Sequence, residues 1–202
     1  MENKKKYLFK EIQTFLVNVG WTHKIQICQV DVYMELSKNL KLAKIILTSL
    51  TSAGLGSFIL KIFPSIQDIA MTITFAISLA TTIVIALDKE KDYKKLAEQN
   101  KVAADKYLEM RNKAMSLLYR MKYEEGITTI ENEFLELKEL RNEADPGLPH
   151  TSYQAVELAS KKLKENKDND YTEDYKLFIP KDLLDLEGEI CCLLYTSPSP
   201  RD

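Results

Sequence analysis

The sequence predicts an all-α membrane protein: a transmembrane helical hairpin whose flanking amphipathic helices pack in the cytoplasm as a helical bundle or coiled coil. Three observations predict it. Two uncharged apolar runs, residues 45–60 and 69–87, stand close together. Six glycines and six prolines among 202 residues leave long stretches without a breaker. Outside the apolar runs, hydrophobic residues recur at three- and four-residue steps, the period of a helix with one buried face.

Residues 1–44 form the N-terminal cytoplasmic part. Leu8, Ile12, Phe15 and Leu16 share one side of a helix over residues 5–18, which Gly20 is expected to stop. Short and lysine-flanked, this helix suits either the inner membrane surface or the side of the next helix. From Trp21 the pattern resumes as WTHKIQICQVDVYMELSKNLKLAK, with Ile25, Cys28 and Val32 on one face, and runs unbroken into the first apolar run. His23 has no carboxylate or cysteine at a ligand spacing, so a packed histidine is expected and not a metal site.

Residues 45–87 form the hairpin. At 1.5 Å per residue the runs reach about 24 and 28 Å, close to the hydrocarbon thickness of a bilayer. Pro64 cannot continue the first helix, and Ser65 and Asp68 have the spacing of a capping box opening the second. The alternative is a buried hairpin in a soluble bundle. Against it, neither run holds a Lys, Arg, Asp, Glu, Asn or Gln, whereas a soluble helix of this length usually keeps a polar face. Lys38, Lys41 and Lys44 precede the first run and Lys89, Lys91, Lys94 and Lys95 follow the second, while the elbow carries only Lys61. The positive-inside rule then places both termini in the cytoplasm. No secretory signal peptide is expected, because the first apolar run starts beyond residue 40.

Both runs are rich in small and hydroxyl residues. Ser49, Ala53 and Ser57 lie four apart in the first, beside Thr48, Ser52 and Gly56 on an adjacent stripe. The second has Ala70, Thr74, Ser78 and Thr82 four apart, with Ala76 and Ala80 alongside. Such stripes let backbones approach and hydroxyls bond across the contact. They serve hairpin packing, or else one stripe per helix faces other subunits or a pore. Two helices cannot enclose a channel, so a pore requires a homo-oligomer.

Residues 88–166 carry the cytoplasmic amphipathic helices. A helix of about 35 residues, roughly 50 Å, is expected from Asp88 to just before Gly126, joined directly to the second span. Its seam follows a heptad through Tyr93, Leu96, Asn100, Ala103, Tyr107, Met110, Ala114, Leu117 and Met121. This seam suits self-association, with Asn100 fixing register, or packing within the chain. Ile127, Ile130, Phe134 and Leu137 mark the next helix, ending at Asp145-Pro146-Gly147. Thr151 and Gln154 then make a capping box for a helix with Tyr153, Val156, Ala159 and Leu163 on one face, running to about Lys164.

The polar stretch KENKDNDYTEDY opens a linker, and residues 167–190 add one further packed segment around Phe178, Ile179, Leu183 and Leu184. Residues 191–202 are set apart: from Cys192 the chain reads CLLYTSPSPRD, which resembles the translation of a transposase-end sequencing adapter. The natural chain is therefore expected to continue differently beyond about residue 190.

Composition removes several functions. A net charge of −2 argues against nucleic acid as a partner. Three cysteines give no disulfide framework, and Cys28 suits a packed helix position. The two histidines, His23 and His150, belong to no triad or metal pattern, and no glycine-rich phosphate loop is present. No catalytic residue, cofactor or metal is expected, and the chain does not read as an enzyme. Nothing ionisable lies within the spans, which counts against a proton relay, a voltage sensor or a coupled transporter.

The order WTHKIQICQVDVYMELSKNLKLAKIILTSLTSAG, second span, LDKEKDYKKLAEQNKVAADKYLEMRNKA, then ADPGLPHTSYQAVELASKKL resembles the SLATT domains. These are bacterial two-helix membrane effector domains found beside second-messenger nucleotidyltransferases and nucleotide-sensing modules. The resemblance covers roughly residues 5–164 and rests on the small-residue first span, the amphipathic helix after the second, and the Pro-Gly-Leu-Pro turn. It implies an inner-membrane effector in antiviral conflict systems, in which a nucleotide signal drives oligomerisation or opening. No nucleotide-binding motif is visible in this chain, so the resemblance implies sensing either by a nucleotidyltransferase or nucleotide-sensing partner or by a C-terminal part beyond about residue 190. A membrane-anchored scaffold that docks a cytoplasmic partner without forming a pore is the alternative.

Overall fold

The computed structural model describes residues 2–52, 67–123 and 126–170. These residues are almost wholly helical, with no strand among them. The elements are α1 (Glu2–Ser52), α2 (Gln67–Glu90), α3 (Tyr93–Lys122), α4 (Ile127–Ala144), a 3₁₀ turn (Asp145–Gly147) and α5 (Tyr153–Lys164). The elbow and the whole second half of the first apolar run, residues 53–60, together with the C-terminal segment around Phe178 and the tail, lie outside the described residues. The chain divides into two compact units, residues 29–100 and the remainder.

In the larger unit, the first part of α1 packs with α3, α4 and α5. Leu8, Ile12, Phe15 and Val19 form one buried stripe on α1, with Leu16 partly buried against the same core. It meets Tyr107, Met110, Ala114, Leu117 and Met121 of α3 and Ile130, Phe134 and Leu137 of α4 in a single core. Phe15 and Phe134 meet edge to face with centroids 5.5 Å apart. The N-terminal helix therefore uses its apolar side for this core and does not offer it to a membrane surface. Ion pairs rim the core: Lys4–Glu131 at 2.7 Å, Glu11–Lys138 at 2.8 Å and Arg120–Glu133 at 2.5 Å. Being solvent-exposed, each contributes at most about 1 kcal/mol.

Gly20 does not stop the first helix; α1 continues through it. A mid-helix glycine costs only about 0.5–1 kcal/mol relative to alanine, which burial of the flanking stripe outweighs. A methyl group there would stand 3.7 Å from the Arg111 side chain.

A second, small-residue core docks α5 on α1. Cys28, Ala155 and Ala159 are fully buried, with Ile25 and Leu158 partly buried against them. This corrects the expected face of α5, because Tyr153 is 81% exposed and Val156 38%. Alanines permit the close approach that a tyrosine would block. The cap also shifts by one residue: Ser152, not Thr151, accepts the Ala155 amide through its hydroxyl. Gln26 donates to the Pro149 carbonyl at 3.1 Å, and Lys24 pairs with Asp168 at 2.8 Å, tying both ends of α5 to α1.

The smaller unit holds the rest of α1, all of α2 and the start of α3. Here the helix expected to run unbroken from Asp88 is interrupted. The α2 helix carries on to Glu90, the chain turns at Lys91 and Asp92, and α3 begins at Tyr93. The Tyr93 amide donates to the Lys91 carbonyl at 2.7 Å, and the Asp92 carboxylate accepts the Lys95 amide at 3.0 Å. Asp92 is thus an N-cap, satisfying a donor that the helix start leaves open and placing negative charge at its positive end.

Candidate functional site

Helix α2 is long and apolar enough to cross a membrane, and its most apolar 18-residue window is only 6% buried. The core helix of a folded bundle would be mostly covered. Ile69, Met71, Ile73, Phe75, Leu79, Ile83 and Ile85 are all exposed, Phe75 by 70%. Covering such a side chain with an apolar phase is worth about 1.5–3 kcal/mol, so this surface in water would be strongly unfavourable.

The opposite side of α2 is less exposed. Ile77, Ala80, Thr81, Val84 and Asp88 lie on it at helical spacing, with Thr81 buried. At its end, Asp88 pairs with Lys44 of α1 at 3.1 Å. The rings of Tyr33 of α1 and Tyr93 of α3 meet at a tilt of 38° with centroids 5.8 Å apart.

The sequence-derived stripe divides on these two sides. Thr74, Ser78 and Thr82 are exposed on α2; Thr48 is half-buried and Ser49 exposed on α1. The side chain of Ser52, and Ala53, Gly56 and Ser57 altogether, lie outside the described residues. Several hydroxyls donate back along their own helix: Thr48 to Lys44 at 2.7 Å, Thr81 to Ile77 at 2.7 Å and Thr82 to Ser78 at 3.0 Å. A hydroxyl that spends its proton this way keeps acceptor lone pairs for whatever it faces.

Of the expected α3 seam, Asn100, Tyr107, Met110, Ala114, Leu117 and Met121 are buried, whereas Tyr93, Leu96 and Ala103 are half-buried. Ala97 and Ala104 are buried where the heptad favoured Leu96 and Ala103. From Tyr107 onward the seam is occupied within the chain by α1 and α4. Asn100 donates to the Leu96 carbonyl of its own helix at 2.8 Å.

Polar groups elsewhere serve the scaffold. His23 is buried with Nδ1 2.9 Å from the Ala104 carbonyl. Burial holds its pKa below the ordinary histidine value, the Ala104 bond opposes this, and Arg111 and Lys24 reinforce it. Tyr107 donates to Asp145, and burial followed by that bond pushes its phenol above the usual range. A cleft of about 660 Å³ between α1 and α4 contains Lys138 and Arg141, engaged by Glu11 and Asp145 respectively. Among the described residues no group of histidine, cysteine or carboxylate side chains could hold a metal.

Sequence reasoning missed Thr81, hidden within a run where every position looks alike. It also missed the Lys44–Asp88 pair, whose signal was two opposite charges bracketing residues 45–87. A family model described as "SMODS and SLOG-associating 2TM effector domain family 4" matches residues 8–174. No curated protein and no solved structure matches the chain.

Proposed function

The chain belongs to the SMODS and SLOG-associating 2TM effector domain family, and on that basis we propose that it is a pore-forming or membrane-perturbing effector of a bacterial conflict response. It resides in the inner membrane with both termini in the cytoplasm, assembles as a homo-oligomer, and acts on a nucleotide signal delivered by a sensing or nucleotidyltransferase partner.

The observation that carries this reading is the Lys44–Asp88 contact. One residue immediately precedes the first apolar run and the other immediately follows the second, yet their side chains meet at 3.1 Å. Chain that leaves one of these positions must return to the other, as a hairpin with both ends on one side of a bilayer does. The uncovered apolar side of α2 supports lipid as its surroundings. The exposed Thr74, Ser78 and Thr82 supply hydroxyls for a neighbouring copy or for water in a pore.

The test is dye release from liposomes holding the purified full chain. Wild type releases a small dye once oligomerised, and the T74L/S78L/T82L variant inserts equally well but does not. Intact vesicles under every oligomeric condition would contradict a pore. The exposed Tyr153 and Val156 on α5 favour a second reading, a tethered scaffold that docks a partner. Replacing the hairpin by an unrelated one separates the two: a scaffold keeps its function and an effector loses it.

A further inference from the structure

We propose that the cleft between α1 and α4 is the docking site of this chain's own residues 171–190, which lie outside the described residues. The cleft belongs wholly to the larger unit. Its α1 wall is Tyr7, Glu11, Thr14 and Asn18, and steps of three and four carry the same helix face on through Trp21, Ile25 and Cys28. The two halves of this stripe differ. Helix α5 covers the second half: Ala155 and Ala159 pack with Cys28 and Ile25, and the Lys164 ammonium stands 5.8 Å from the Trp21 ring. The first half lines the open cleft of about 660 Å³, and no helix among the described residues lies over it.

Helix α5 also points at the open half. It runs from Pro149 beside Gln26 to Lys164 beside Trp21, and Asp168 just beyond is held by Lys24 at 2.8 Å. Asn18, where the cleft begins, is one helical turn from Trp21. The chain beyond residue 170 therefore starts close to the mouth of the cleft, in continuity with the interface that α5 has already made.

Length and chemistry fit this occupant. From Asn18 to Tyr7 the cleft wall is about 16 Å long, and twenty residues reach about 30 Å even as a helix. Residues 171–190 carry six carboxylates against two lysines. The cleft has the opposite balance, with Lys10, Lys138 and Arg141 against Glu11 and Asp145. Among the described residues the Lys10 ammonium has no ion-pair partner, and Arg141 is held by Asp145 at 3.4 Å with its Nε making no hydrogen bond. The floor is the Phe15–Phe134 pair, with Tyr7 exposed at the far end. Phe178 is eight residues past Asp170, about 12 Å along a helix, and Phe15 is nine residues before Lys24, about 14 Å, so the aromatic side chains reach matching depth. Tethering favours this segment over a separate molecule, because a short tether gives an effective concentration of about a millimolar.

Photocrosslinking of the full chain tests this, with p-benzoylphenylalanine in place of Phe178 and an equal mixture of heavy-isotope-labelled and unlabelled protein. Mass spectrometry should map the crosslink to residues 7–18 of α1 or 134–145 of α4, within one copy. Thr14→Trp puts an indole in the cleft from an exposed position and should abolish that crosslink; Gln13→Trp, exposed on another face of α1, should leave it unchanged. Equal yields in the two variants would overturn the cleft as the site. Crosslinks confined to residues outside the cleft would do the same. Crosslinks joining labelled to unlabelled copies would give the cleft to a second copy and overturn the assignment to the chain's own segment. None of these outcomes depends on whether the hairpin crosses a membrane.

Discussion

Replacing Phe134 by alanine should remove most of the margin that holds the helical core together. Phe134 is 1% exposed and packs edge to face on Phe15 at 5.5 Å, with the Lys138 ammonium 5.2 Å from its ring. A buried Phe→Ala change costs about 3–5 kcal/mol. The aromatic pair accounts for about 0.5–1.5 kcal/mol and the exposed cation for less. About 4 kcal/mol, nearly a thousandfold in the folding constant, is the expected loss, against a typical total of 5–15 kcal/mol. Trp21 lies in the same unit, with the Lys164 ammonium 5.8 Å from its ring, and its fluorescence reports unfolding in urea. The midpoint should fall with little change in slope and should not depend on protein concentration, because the α3 seam is filled by α1 and α4 of the same chain. A loss under 1 kcal/mol would refute the packing. A midpoint that moves with concentration would show that the seam belongs to an oligomer.

Gly20→Ala should stabilise the chain by about 0.5–1 kcal/mol, because the new methyl meets Arg111 at an ordinary 3.7 Å and the unfolded chain loses freedom. A higher urea midpoint confirms it; a lower one shows that the helices cannot accommodate the methyl. His23 is held neutral by burial, so its folded pKa lies below its unfolded value near 6.5. Its contribution is full above that pH and is lost as pH falls from there through the folded pKa, where the unfolded chain binds the extra proton. Urea midpoints at pH 7.5 and 5.5 should therefore differ more for wild type than for His23→Gln, and an equal difference would remove His23 as the cause.

Much of the helical order was legible because it rests on periodicity. Leu8, Ile12 and Phe15, and Ile130, Phe134 and Leu137, repeat at helical steps and are buried. What escaped the sequence was decided by close fit between helices. Gly20 reads as a stop in isolation, yet the packed stripe around it carries the helix through. On α5 the large side chains drew attention, whereas docking against Cys28 selected Ala155 and Ala159. On α3 the buried positions are Ala97 and Ala104, one residue on from the half-buried Leu96 and Ala103. The break at Lys91 and Asp92 depends on one aspartate choosing to cap instead of facing solvent within a charged run. The hydroxyl stripe was visible as a pattern, but only the packed side of α2 tells Thr81 from the exposed Thr74, Ser78 and Thr82.

The membrane hairpin is tested most directly by labelling single cysteines in intact cells with an impermeant maleimide, in a chain whose native cysteines have been replaced. Ser65→Cys should react from outside, while Lys89→Cys should react only after the inner membrane is opened. Equal accessibility of the two positions would contradict the hairpin.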